Sequence, residues 1–157
     1  MFSKEEVKEL RQLFWQKLEN RTKRLPGQKG HKKKWIFDNT GIKGLDLRFD
    51  IDRQRAIVAL EINHRNEDRR LHLYEKLEAC KTIFETEYGM PLKWDYLCTR
   101  PTSNDQEVCR VYNEMPCDMY QQDSWPEVMH FLIDQMLRME KAFLEVKDFL
   151  EHDELGQ

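Results

Sequence analysis

The stretch from Gly44 to Asn63 constrains the fold of this chain more than any other part of the sequence. In its first half, up to Ile51, apolar residues alternate with charged residues, whereas the second half, from Arg55 to Ile62, is apolar at almost every position. Alternation predicts a strand with one buried face, and a continuous apolar run predicts a strand covered on both faces. The two halves are therefore predicted to form a β-hairpin against which the other elements pack.

The register of this hairpin follows if Arg53 and Gln54 form a two-residue turn. The opposed apolar pairs would then be Leu45 with Ile62, Leu47 with Leu60, Phe49 with Val58, and Ile51 with Ala56. A slip of one residue would turn half of these side chains to the wrong face. Arg-Gln is not a preferred turn dipeptide, and a longer turn would shift the register.

On the other face of the hairpin, this register places Asp46 opposite Glu61. Like charges in direct opposition destabilise a sheet, so a positive group is predicted between the two carboxylates. Arg48 or a lysine from elsewhere would make a structural ion network there. A divalent metal is the alternative, because carboxylate oxygens are its typical ligands. We favour the ion network and predict no cofactor, with Asp46 and Glu61 as candidate ligands if a metal binds.

Positive charge is concentrated in one segment of a chain whose formal net charge is −3. Residues 21–34 contain no acid and seven basic residues, which are Arg21, Lys23, Arg24, Lys29, Lys32, Lys33 and Lys34. Proline and two glycines without periodicity predict a loop. Such a loop is either simply solvated or contacts phosphates, since cations without nearby acids release counterions when they bind nucleic acid.

Two helices are predicted before and after the first hairpin. The first runs from Ser3 to about Asn20, and Ser3 with Glu6 has the spacing of a capping box. The second runs over residues 66–88, where Asn66 is the expected N-cap and Gly89 the expected C-terminal glycine.

A third helix is predicted over residues 124–152. Its Ser-Trp-Pro-Glu start, at Ser124, combines an N-cap serine, a proline in the first turn and a glutamate at the capping-box position. Its apolar stripe consists of Val128, Leu132, Gln135, Met139, Phe143, Val146 and Leu150. A helix of this length is about 42 Å long, more than a small core needs. The excess length predicts a homodimer.

A second hairpin is predicted from residues 92–98 and 107–113. In its most symmetric register Cys98 faces Cys109, and we expect this pair to be reduced in a cytoplasmic protein. Arg110 and Tyr112 share one parity and are expected to face solvent or a partner.

Together with a short strand over residues 34–38, these elements have the order α-β-β-β-α-β-β-α. We predict an α+β fold with a mostly antiparallel sheet of five strands, packed with three helices in a single domain, residues 1–157.

No apolar run approaches the roughly 20 residues of a membrane helix. The first residues also lack the apolar core of a signal peptide. A cytoplasmic location without a membrane partner is expected.

Several short motifs resemble the bacterial family called domain of unknown function 4268. They are Trp35, the turn Thr40–Gly44, the strand end Leu60–His64, the helix start Ser124–Glu127, Phe14-Trp15 and Arg110–Tyr112. In longer relatives this domain is fused behind a nuclease-like domain. The resemblance therefore implies a role near DNA, in restriction or defence systems, with nucleic acid or a nuclease-like protein as the partner.

The predicted element order is also similar to that of restriction-endonuclease-like nucleases. Those enzymes place an aspartate on the second strand and Glu-x-Lys on the third, so Asp46 or Asp50 and Glu61 are the candidate catalytic residues here. The lysine position is Asn63, which has no cation to activate water. We therefore predict a binding or assembly module, with a degenerate or metal-dependent nuclease as the alternative.

Other catalytic templates, such as G-x-S-x-G and H-E-x-x-H, do not occur in the sequence. His64 and His72 are interpreted as ordinary surface or hydrogen-bonded histidines. A ligand pocket between the helices and the sheet remains open as an alternative.

Overall fold

The computed structural model describes residues 2–24, 40–100 and 106–152. Its elements are α1 (Lys4–Lys23), β1 (Leu45–Ile51), β2 (Arg55–Ile62), α2 (Glu67–Ala79), α3 (Lys81–Tyr88), β3 (Lys93–Arg100), β4 (Gln106–Pro116) and α4 (Trp125–Glu151). The fold is α+β, and in these residues it has four helices and one antiparallel sheet of four strands. The predicted strand over residues 34–38, which would be the fifth, lies outside the described residues.

The predicted register of the first hairpin is confirmed, with Leu45 opposite Ile62 and Asp46 opposite Glu61. The turn is stabilised by Asp52, whose Oδ1 accepts hydrogen bonds from the backbone N–H groups of Gln54 at 2.7 Å and Arg55 at 2.9 Å. An aspartate that binds backbone groups two and three residues ahead favours a tight turn. This interaction compensates for the unusual Arg-Gln dipeptide.

The strand order is β1-β2-β4-β3, so β2 and β4 are the interior strands. Every residue of β2 from Ala56 to Ile62 is buried, as its continuous apolar run predicted. The helices pack on the sheet face that carries Leu47, Leu60 and Val111. The stripe predicted for the last helix is buried along its whole length in α4.

Helix α1 has the predicted capping box between Ser3 and Glu6, but it ends at Lys23 rather than near residue 20. Arg21 and Lys23 are therefore helical, and the prediction that they belong to a loop is wrong. Thr22 explains the extension, because it is buried one turn after Leu18 and continues the apolar stripe.

The predicted helix over residues 66–88 is two helices that meet at Cys80. Its ends are as predicted, with Asn66 as N-cap and Gly89 in the left-handed region at φ +101°. The aromatic rings of Tyr74 and Phe84, on opposite sides of the break, both contact the indole of Trp94. The two helices thus bend around one side chain of β3.

Two further details of the prediction are wrong. A β-bulge between Asp95 and Cys98 shifts the second hairpin, so Cys98 pairs with Val108 rather than Cys109, and all four cysteines are free. Ser124 does not form a capping box, because its Oγ donates to the Gln121 carbonyl within a short 3-10 turn before α4. No helix in the described parts of the chain is long and apolar enough to cross a membrane.

Candidate anion-binding site

One face of the sheet carries charged residues in register. Asp46, Glu61, Arg110 and Asp95 form a row across the four strands. Glu61 is fully buried, with 0% exposure, and Arg110 is only 7% exposed. The opposed carboxylates predicted from the sequence are therefore adjacent, and one of them lies in the interior.

Three donor groups lie close to these carboxylates. The Asn63 side-chain amide donates to Asp46 Oδ2 at 2.7 Å and to Glu61 Oε1 at 3.0 Å, so it bridges the pair. Arg48 Nε lies 3.9 Å, and Arg110 Nη2 lies 3.7 Å, from Glu61 Oε2. The expectation that Arg110 faces solvent or a partner is wrong, because β4 is an interior strand and its arginine pairs with the buried Glu61.

Of the two aspartates that were candidate nuclease residues, one lies beside Glu61 and the other does not. Asp46 faces Glu61, whereas Asp50 faces Ile57, four residues and about 13 Å further along β1. Asn63, at the position where those nucleases carry lysine, is the bridge between the two carboxylates. Within the described ranges, no three His, Cys, Asp or Glu side chains are grouped to hold a metal ion. The contacts around Glu61 are thus two ion pairs with arginines and a hydrogen bond from Asn63.

A different cluster of charges surrounds a cavity of 330 Å³ where β1 begins and β2 ends. The cavity is bounded by the turn before β1, by helix α2 and by the C-terminal end of α4. Its polar lining residues are Lys43, His64, Arg69, His72, Lys76 and Glu151. Three cations thus face one carboxylate, which leaves two positive charges in excess.

The turn that presents Lys43 is fixed by Thr40 and two glycines. Thr40 Oγ1 donates to the Leu45 carbonyl at 2.7 Å and accepts a hydrogen bond from the backbone N–H of Ile42 at 3.2 Å. Gly41 and Gly44 both have φ +83°. A Cβ at Gly44 would lie 2.7 Å from the Cβ of His64, so this turn requires glycine for space as well as for backbone conformation.

Two lysines balance the negative end of α4 beside the cavity. Lys76 Nζ donates to the backbone carbonyls of Leu150 and His152. Lys147 Nζ lies 3.6 Å from Glu151 Oε1 and pairs with the one carboxylate in the lining. The C-terminal carbonyls of a helix carry partial negative charge, which these ammonium groups offset. The potential in the cavity is therefore set by Lys43 and Arg69.

The pKa of His64 reflects the positive charge around the cavity. Its pKa is lowered from the ordinary value of 6.5, first by burial and then by the charges of Lys43, Arg69 and Arg70. The backbone N–H of Asn66 donates to His64 Nδ1 at 3.0 Å, so the neutral ring carries its proton on Nε2. His64 is thus a neutral hydrogen-bond donor in a cationic cavity.

The predicted phosphate-binding residues are only partly within the described residues. Arg21, Lys23 and Arg24 lie at the C-terminal end of α1, where Lys23 pairs with Glu19 at 3.1 Å. The predicted residues Lys29, Lys32, Lys33 and Lys34 lie outside the described residues.

Contacts along α1 give its direction relative to the sheet. Arg11 donates to the Ile51 carbonyl, and Trp15 contacts Phe49, so α1 runs antiparallel to β1. Its basic end is therefore directed toward the end of the sheet that holds the cavity.

Sequence reasoning did not identify the cavity. Lys43, Arg69 and Lys76 come from separate elements, and only their packing against the end of α4 brings them together. The available signals were local, namely the two glycines around Lys43 and the capped start of α2 at Asn66.

Fold and site together define an α+β protein with helices on one face of an antiparallel sheet and a cationic cavity at one sheet end. The family model described as "Domain of unknown function (DUF4268)" matches residues 10–147. The chain therefore belongs to this family, as its motifs indicated. The comparisons with curated proteins and with solved structures gave no match.

Proposed function

We propose that this chain is a binding module that associates with nucleic acid through the cationic cavity and the basic segment 21–34. The observation that carries this proposal is the convergence of Lys43, Arg69 and Lys76 on one cavity. Among the described residues, neither Lys43 nor Arg69 has an ion-pair partner. Both side chains are exposed and available to a ligand.

Phosphate groups are the ligand class that suits these charges best. Unpaired lysine and arginine side chains gain free energy from phosphates because condensed counterions are released. Segment 21–34 carries seven further basic residues and no acid, so it suits the same ligand class. We include in the proposal a role in restriction or defence systems, which the family resemblance implies. Proteins of such systems act on nucleic acid or on nucleases.

The homodimer is also proposed, on grounds that differ from those in the sequence. The length of α4 no longer argues for a dimer, because its buried residues extend from Trp125 to Leu150 and the helix is used along its length within the chain. Leu137 and Leu144, however, are exposed and lie seven residues apart, on the same side of the helix. Sedimentation equilibrium should show a dimer that Leu144→Glu dissociates, and a monomeric wild-type protein would refute this part.

Fluorescence anisotropy with labelled duplex and single-stranded DNA tests the nucleic-acid proposal. At low salt the wild-type protein should bind, and the double variant Lys43→Ala/Arg69→Ala should bind at least about tenfold more weakly. The triple variant Lys32→Ala/Lys33→Ala/Lys34→Ala tests the basic segment in the same assay.

The matched control is Arg65→Ala/Lys8→Ala, which removes the same two residue types at positions that do not line the cavity. Its affinity should stay within about twofold of wild type. Absence of binding at low salt, or equal losses in the cavity variant and the control, would contradict the proposal.

A further inference from the structure

A second cavity, of 420 Å³, adjoins the first and shares His72 and Lys76 with it. Its other lining residues are Asp148, Phe149 and His152. Phe149 is 41% exposed, and Lys76 Nζ lies 5.0 Å from the centroid of its ring. A cationic compartment and a compartment with an accessible aromatic ring are therefore side by side.

We propose that the two cavities together bind a nucleotide that carries a terminal phosphate. Lys43 and Arg69 hold the phosphate in the first cavity, and Phe149 stacks on the base in the second. This inference rests on the proposed nucleic-acid function and specifies which part of the nucleic acid is recognised.

Charge favours a terminal phosphate over an internal one. A phosphomonoester carries about −1.5 to −2 charges at neutral pH, and an internal diester carries one. The excess of two positive charges in the lining matches the monoester. The Nε2–H of His64 supplies a further donor to the phosphate oxygens.

Asp148 determines the orientation of the ligand. In the second cavity it offsets the charge of Lys76, so that lining has no excess of positive charge for a phosphate, whereas the first lining has an excess of two. A base has no charge to be repelled there, and its ring can stack on Phe149 as bases do on aromatic platforms. The size is also suitable, since 330 Å³ lies at the lower end of cavities that hold small ligands.

The test compares single strands of one sequence with a phosphate at the 5′ end, at the 3′ end, or at neither end, together with adenosine monophosphate and adenosine. We expect a phosphorylated strand to bind about tenfold more tightly than the unphosphorylated strand, and adenosine monophosphate to bind where adenosine does not. Lys43→Ala/Arg69→Ala should abolish both preferences, and Arg65→Ala/Lys8→Ala should keep them.

The aromatic contact has its own variant. Phe149→Leu keeps apolar volume but removes the ring, and it should weaken adenosine monophosphate about tenfold while inorganic phosphate binding stays unchanged. An unchanged affinity for adenosine monophosphate in Phe149→Leu would overturn the stacking contact.

The outcomes separate this inference from the function on which it rests. Equal binding of all three strands, without binding of the monophosphate, would overturn the inference and leave the nucleic-acid function intact. Binding of the monophosphate without any strand would support the inference for a free nucleotide and contradict the nucleic-acid function.

Discussion

The charged face of the hairpin and the cationic cavity contain the same kinds of side chain, but they differ in pairing and burial. On the hairpin, the buried Glu61 is paired with Arg110 and Arg48 and accepts a hydrogen bond from Asn63. At the cavity, Lys43 and Arg69 are exposed and have no ion-pair partner among the described residues. Charges that satisfy one another stabilise a fold, whereas accessible charges of one sign are available to a ligand.

The largest expected effect is on stability, at the buried pair. Arg110→Ala removes the buried partner of Glu61 and should lower the free energy of unfolding by about 3 kcal/mol, because a buried carboxylate loses its counter-charge. Arg48→Ala should cost less than about 1 kcal/mol, since the Arg48 side chain is 42% exposed. Urea denaturation measures the free energy of unfolding of both variants. Equal losses would contradict this prediction, because the buried arginine would then stabilise the fold no more than the exposed one.

The cavity should show the opposite behaviour. Lys43→Ala/Arg69→Ala should weaken DNA binding about tenfold or more while changing the free energy of unfolding by less than about 0.5 kcal/mol. Denaturation and anisotropy on the same preparation provide the two numbers. A destabilisation as large as that of Arg110→Ala would mean that these cations are structural.

Metal binding is a sharper test of the hairpin face. Because Asn63 bridges Asp46 and Glu61, titration with Mg²⁺ or Mn²⁺ should give the same heat for wild type and Asp46→Asn. Heat that disappears in Asp46→Asn would revive the nuclease alternative.

The smallest effect concerns protonation in the cavity. The pKa of His64 should lie below 6.5 in the free protein, since burial and the neighbouring cations disfavour the imidazolium. A bound anion favours the charged ring, so sulfate should raise the pKa of His64, and sulfate affinity should increase as the pH falls from about 7.5 to about 6. Sulfate stays dianionic over this range, and NMR resolves His64 from His72. An unchanged His64 titration would place the anion elsewhere.

The sequence predicted those features that depend on local patterns. Alternation with a two-residue turn at Arg53 and Gln54 predicted the hairpin register, and the Asn66 and Gly89 caps predicted the outer ends of the α2–α3 pair. The bend at Cys80 could not be predicted in this way, because it follows from contacts with Trp94 on another element.

The candidate site shows the same limit. The burial of Arg110 depends on β4 lying between β2 and β3, a strand order that hairpin patterns do not determine. The cavity depends on how α2 and α4 meet, so its cations are far apart in the sequence. The residue patterns showed where charged residues occur in the sequence. Only the packing of the elements shows which charges are paired with one another and which are available to a ligand.

The salt dependence of DNA binding tests the central claim most directly. If Lys43 and Arg69 contact phosphates, the slope of log K against log salt should become shallower by about 2 in Lys43→Ala/Arg69→Ala, and it should not change in Arg65→Ala/Lys8→Ala. Equal slopes for wild type and the cavity variant would contradict the account, because they would show that the cavity cations release no counterions.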